Sequence, residues 1–250
     1  MALLETVSLS KRFGDLRAVD NVDFHVDEGE FLSLVGSNGA GKTTLVNLIS
    51  AHVVADSGRI MFAGRDITVT SVAERIRAGI ARSFQLVNLF DGLSVHDNVA
   101  LSIFARDGKT KSAFSLFEGD RAVAAEAEEV LQLFGLGDKQ RLVASSLAQG
   151  ERKLLDVAVA YALKPKVLFL DEPTSGVGTR DKAQIMDTVA AAVRAGGGAA
   201  VVIEHDMDIV FTYSHRVVVM HEGTVLAEGT PDEIRANREV ASVLLGTEPA

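Results

Sequence analysis

The octapeptide GSNGAGKT, Gly36 to Thr43, sets glycines on either side of four residues and follows them with lysine and threonine. That spacing suits a loop built to hold phosphate. Glycines at 36, 39 and 41 let the backbone wrap closely around phosphate oxygens, and Ser37, Asn38, Ala40 and Thr44 complete the stretch that would line a nucleotide. Lys42 brings a positive charge to the β- and γ-phosphates, and the Thr43 hydroxyl is a ligand for Mg²⁺. A second stretch, VLFLDEPTSG from Val167 to Gly176, runs four apolar residues into Asp171 and Glu172. A carboxylate emerging from a buried strand suits Mg²⁺ at Asp171, and Glu172 beside it is a candidate base for water. His205 follows another apolar run, 199–203, and Gln85 follows a short strand-like run, where its side chain could touch the metal or the attacking water. Together these residues point to attack of water on a bound phosphate.

Elements of a particular kind must carry them. EFLSLVG (30–36) reads as a buried strand that enters the phosphate loop, and a helix from Lys42 to about Ser50 leaves it. The segments 3–9, 17–26 and 57–64 read as short strands, the first two from an antiparallel sheet, and VAERIRAGI reads as a helix closed by Gly79. Between 91 and 165 the texture turns helical: Val123, Ala127, Val130, Leu131 and Phe134 form one apolar face, with Glu126, Glu128 and Glu129 directed outward. The β/α alternation resumes with a strand in KVLFLDEP (166–173), a helix over 180–194, a strand at 199–203, a short helix and a hairpin-like pair over 216–229. The expected fold class is α/β. Its organisation is a core from 1–90 and 166–235 that includes an N-terminal antiparallel β subdomain, a helical insertion over 91–165, and a helical tail over 236–250.

Composition narrows the function classes. With 47% hydrophobic and 24% charged residues the chain is globular, and its 250 residues allow a sizeable core. A net charge of −9 argues against a protein that coats nucleic acid, which needs clustered lysine and arginine. The absence of cysteine excludes disulfides and thiolate metal sites. The amino terminus has Glu5 within its apolar stretch and lacks the pattern of a signal peptide, so a cytoplasmic location is expected. No apolar run approaches the roughly 20 residues needed to span a bilayer, so any membrane role must act through a partner. The histidines at 25, 52, 96, 215 and 221 read as surface or structurally satisfied side chains.

The order GSNGAGKT, RSFQ, SLAQGE, VLFLDEP and VVIEHD resembles, over essentially the full length, the ATP-binding subunits of ABC transporters. The resemblance implies a RecA-like core and a head-to-tail dimer closing on two ATP·Mg²⁺. In that dimer the loop at Ala148, Gln149 and Gly150 would contact the ATP held by the other protomer. Glu172, His205 and Gln85 would be catalytic, and Thr43, Gln85 and Asp171 would serve the metal. Phe13, in KRFG, matches the aromatic residue that stacks on adenine. It also implies transmembrane permease partners, a second ATPase subunit (the same chain or a sister), a solute-binding protein elsewhere in the complex, and a peripheral place on the inner face of the cell membrane. Within the family, GIARSFQLVNLFDGLSVHDNV and HEGTVLAEGTPDEIRAN most resemble ATPases of branched-chain or hydrophobic amino acid importers. Two positions depart from the usual pattern: Ala148 stands where a serine is usual, and Gly178 where an aspartate is frequent. A GTPase is disfavoured because no asparagine precedes a lysine as a guanine-reading N-K-x-D motif requires. A soluble ABC-type ATPase, or one serving urea or lipid, is the alternative within the family.

Overall fold

The computed structural model describes residues 2–83, 89–108 and 120–245. The strand that enters the phosphate loop, β3 (Phe31–Gly36), is buried along its whole length. Preceding it are β1 (Ala2–Phe13) and β2 (Leu16–Asp27); after it come α1 (Lys42–Ile49), β4 (Ser57–Phe62), β5 (Arg65–Asp66), α2 (Val72–Ala78) and β6 (Ile80–Arg82). Among the described residues the helices α3 (Val95–Arg106), α4 (Arg121–Leu133) and α5 (Gln149–Tyr161) follow. The chain then returns to β7 (Val167–Asp171), α6 (Thr179–Gly196), β8 (Ala199–Ile203), α7 (Met207–Tyr213), β9 (Arg216–His221) and β10 (Thr224–Gly229), and closes with α8 (Pro231–Ala236) and α9 (Arg238–Leu245).

Two sheets result. One is antiparallel, in the order β2-β1-β4-β5; the other runs β10-β9-β3-β8-β7-β6 and is parallel except for its edge strand β10. Strands of the parallel sheet are apolar on both faces because both are covered. In β7, Val167 and Phe169 pack toward α1 and the antiparallel sheet, while Leu168 and Leu170 pack toward α3 to α6. The alternation is the period of two expected of a strand. Each such side chain contributes roughly 1.5–3 kcal/mol by leaving water. The α/β class expected from the sequence is the fold observed.

Local departures have physical reasons. β1 continues four residues past Leu9 because the backbone ladder runs on to Phe13↔Leu16, although Ser10, Lys11 and Arg12 break the apolar alternation. The apolar face of α4 is buried as its spacing predicts, and Glu128 and Glu129 are exposed. Glu126 is instead half-buried: its two oxygens accept from Arg106 of α3 at 2.5 and 2.9 Å, and Lys164 Nζ lies 2.9 Å away. Arg106 also donates to the Ala162 carbonyl at 2.9 Å, so one arginine ties α3 to α4 and to the end of α5. Gly150, expected as a turn ahead of a helix, is the second residue of α5.

Candidate active site

The phosphate loop is fixed from two sides before any ligand is considered. Gly36 (φ +149°) lies against the Met220 carbonyl at the end of β9, and Gly41 (φ +101°) lies against the Ala18 carbonyl of β2; a Cβ at either would overlap that oxygen. Both conformations belong to glycine. Gly223, in the β9–β10 turn, completes the seam by accepting from Asp20 N at 2.9 Å and donating to the Ala40 carbonyl at 3.0 Å. The amino end of α1 has Gly41 as its cap with no side-chain hydrogen bond. Its first N–H groups therefore meet no capping oxygen and form a positive cradle for an anion. Lys42 is buried; its Nζ donates to the carbonyls of Gly36 at 2.7 Å and Ser37 at 3.0 Å. Burial pushes its pKa down, and the charges of Glu172 and Asp171 oppose that shift. Ser37, Asn38, Gly39 and Thr43 are exposed, Gly41 and Thr44 half-buried, and Ala40 buried beneath the loop.

Because β3, β8 and β7 are parallel neighbours, their carboxyl ends open on one side of the sheet. This brings Gly36, Asp171 and the residues after Ile203 together, as the sequence predicts. Asp171 is buried and accepts from Arg82 Nη2 at 2.7 Å. Glu172 adopts a left-handed backbone conformation, φ +49°, with its N–H donating to the Ile203 carbonyl at 2.9 Å. That conformation is strained for a residue with a side chain. His205 Nε2 lies 3.0 Å from Glu172 Oε1. A carboxylate only accepts, so the imidazole donates. Behind them the buried Glu204 accepts from Thr174 Oγ1 at 2.7 Å and Thr174 N at 3.1 Å, holding the loop after Glu172.

The amino end of α5 is built differently. Ala148 is its N-cap and offers no hydroxyl, while Glu151 reaches back to accept from Ala148 N at 3.1 Å and pairs with Lys139. Gln149 covers Gly176 in the loop after Glu172. Lys153, one turn on, donates to Ser175 Oγ at 3.0 Å and to the Glu172 carbonyl at 3.3 Å. Gly150 has room within its own chain, for a Cβ there would meet Ile185 and Val177 at 3.7 Å. Phe13, at the end of β1, is about half exposed, with Lys11 Nζ 5.5 Å from the ring centroid. Gly178 is the N-cap of α6 and brings no side-chain hydrogen bond. Gln85 lies outside the described residues.

Arg82, Glu204 and Lys153 escaped the sequence reading. None of the three stands where periodicity or motif spacing alone marks it: Arg82 ends the short strand Ile80–Arg82, and its partners come from other elements. Among the described residues no cluster of three or more histidine, aspartate or glutamate side chains could hold a metal. The Thr43 hydroxyl and the Asp171 carboxylate are hard-oxygen groups of the kind that suits Mg²⁺ shared with phosphate oxygens. Among the described residues no helix is long and apolar enough to cross a membrane.

A family model described as ABC transporter matches residues 19–175. The chain is 32% identical to a probable branched-chain amino acid transport ATP-binding protein, LivG, of Archaeoglobus fulgidus, over 99% of this chain and 97% of the relative. It is also 32% identical to the high-affinity branched-chain amino acid transport ATP-binding protein LivG of Escherichia coli, over 98% of each. Among solved structures, the ADP conformation of an ATP-binding cassette of an ABC transporter superposes with a TM-score of 0.87 at 29% identity, covering 99% of this chain and 100% of that one. The phosphate loop, the Glu172–His205 pair and the sheet that gathers them thus sit in a chain that belongs to the ABC transporter family as one of its ATP-binding cassettes.

Proposed function

We propose that this chain is the ATP-hydrolysing motor subunit of an importer for branched-chain or other hydrophobic amino acids, active as a head-to-tail dimer against permease subunits. The observation that carries the reading is the meeting of the Gly36–Thr43 loop, Asp171, Glu172 and His205 at the carboxyl ends of β3, β7 and β8, with His205 hydrogen-bonded to Glu172 at 3.0 Å. Lys42 and the N–H groups at the start of α1 hold the β- and γ-phosphates. Thr43, Asp171 and Gln85 would hold Mg²⁺, which would neutralise charge on those phosphates. Glu172 takes the proton of the attacking water, and His205 keeps that carboxylate aimed. Phe13 stacks on adenine, its ring backed by Lys11.

Gly150 supports the dimer, because among the described residues no close contact demands glycine there. A γ-phosphate from a second copy does. The permease reading rests on a cavity of about 730 Å³ between α2 and the helical block, lined by Ile76, Arg77, Phe90, Leu101, Ala105 and Leu163. It is mostly apolar and sized for a short amphipathic helix from a partner. One wall of this groove comes from α2 in the proposed 1–90 plus 166–235 core and the other from α3 and the end of α5 in the proposed 91–165 helical subdomain, with 236–250 as a separate tail. The chain then rests on the inner face of the membrane through its partner.

The test is Glu172→Gln. ATP binding should persist, hydrolysis should fall by about 10²- to 10⁴-fold, and ATP·Mg²⁺ should trap a dimer on gel filtration, since ligand bound by one state shifts the population toward it. Membranes carrying the permeases that co-purify should take up labelled leucine with the wild-type chain and not with the variant. Hydrolysis at the wild-type rate would remove Glu172 from its role; uptake of a different solute would correct the substrate class.

A further inference from the structure

Arg82 ends β6, three residues before Gln85, and its side chain is only 7% exposed. Its guanidinium spans two elements. Nη2 donates to Asp171 Oδ2 at 2.7 Å, and Nη1 donates to Asn47 Oδ1 at 2.5 Å. Asn47 lies four residues after Thr43 on α1, so the two share a helix face. The arginine backbone is itself fixed: Arg82 pairs with Phe169 of β7, and the next residue, Ser83, donates its N–H to the Phe169 carbonyl at 2.8 Å. One side chain therefore joins the helix that carries the Thr43 hydroxyl to the strand that carries the Asp171 carboxylate.

We propose that Arg82 is a positioning residue for the metal side of the site, fixing the plane of the Asp171 carboxylate against α1 so that Thr43 and Asp171 meet Mg²⁺ in one frame. The inference rests on the reading of Asp171 as the carboxylate that serves Mg²⁺. With Oδ2 held by the guanidinium, rotation of the carboxylate is blocked and the direction of Oδ1 is set. Charge balance alone does not require this arrangement, because Lys42 also feels the Asp171 charge. Orientation does, and a planar fork that reaches two acceptors supplies it where a point charge does not. Residues that orient a metal ligand typically change metal affinity by about 10–100-fold when removed.

Two measurements separate this from a plain structural ion pair: affinity for a fluorescent ATP analogue in EDTA, and Mn²⁺ affinity at saturating ATP by electron paramagnetic resonance. Arg82→Gln should leave the first within about twofold and weaken the second at least ~10-fold, with Arg82→Lys recovering part of the loss. Asn47→Ala keeps the ion pair, releases its far anchor and should shift Mn²⁺ affinity in the same direction by a smaller factor; it decides the matter should Arg82→Gln fail to fold. Asp171→Asn is the reference and should weaken Mn²⁺ at least as much as Arg82→Gln. If Asp171→Asn weakens Mn²⁺ while folded Arg82→Gln or Asn47→Ala does not, the proposal is overturned and Arg82 only props the fold. An Asp171→Asn protein with unchanged Mn²⁺ affinity overturns the metal reading itself, and this inference with it.

Discussion

Replacing Gly150 with alanine separates what this chain needs from what a second copy needs. Gly150 is the second residue of α5, and the added methyl would sit 3.7 Å from Ile185 Cδ1 and Val177 Cγ1, ordinary van der Waals distance. Alanine in place of a helical glycine gains about 0.5–1 kcal/mol, with the low end expected in a first turn. For a chain of this size that raises Tm by roughly 1–4 °C. Across a dimer the same methyl stands between the backbone donors of the turn and a γ-phosphate. Losing one preorganised donor at such a place costs roughly 10²–10³ in rate. Gly150→Ala should therefore melt at or above the wild-type temperature by calorimetry while its ATPase rate falls at least ~10²-fold. Mixed with Lys42→Ala protein, it should regain activity, because one site of the mixed dimer then carries neither defect. A lower Tm would mean that the glycine answers to its own chain; full ATPase activity with a higher Tm would refute the demand from a second copy.

Lys42→Ala should lower ATP affinity roughly 10- to 100-fold, the worth of a charge-assisted hydrogen bond to phosphate, read by calorimetry with circular dichroism as the control for folding; unchanged affinity would refute the phosphate-loop assignment. Glu126 links stability to pH. Hydrogen bonds from Arg106, then from Lys164, hold its pKa down at about 2 against an ordinary 4.5. A folded-state pKa below the unfolded one adds stability that is complete above pH 5 and is lost as the pH falls toward 2. Glu126→Gln should thus cost about 1–2 kcal/mol at pH 7, allowing for solvent screening, and almost nothing near pH 2 by denaturant titration; an equal loss at both values would show that the pair acts through packing alone.

The meeting of the candidate site residues was legible because they stand at the ends of long apolar runs. Val167 to Leu170 and Ala199 to Ile203 announce buried parallel strands, and Asp171 and His205 follow at their exits, so their convergence with the Gly36 loop could be reasoned without coordinates. Side chains that act from within β6 or behind the site were not legible. Arg82 carries no assignable role until β6 is known to pair with β7 and to set that cation between Asn47 and Asp171. Glu204 looks like a charged residue leaving a strand, yet the Thr174 hydroxyl and N–H are what make its burial tolerable. Glu126 was misplaced because helical periodicity assigns a face but not a neighbour, and its partners come from 20 and 38 residues away. The polar end of β1 shows the converse: backbone pairing continues where side-chain alternation has stopped.

The seat of the phosphate loop has a consequence for how the molecule comes apart. Gly36 rests on Met220 of one sheet and Gly41 on Ala18 of the other, while Gly223 bridges Asp20 and Ala40. The antiparallel sheet cannot lift away without opening the loop, so separation of the two sheets and the loss of the phosphate cradle are one event. A nucleotide at a hundredfold excess over its Kd opposes that separation by about 2.7 kcal/mol. Backbone amides that exchange with solvent through this opening then slow together, by about a hundredfold, on both sides of the seam. Occupancy of a site that touches only a handful of residues is in this way written into the exchange rates of two whole sheets.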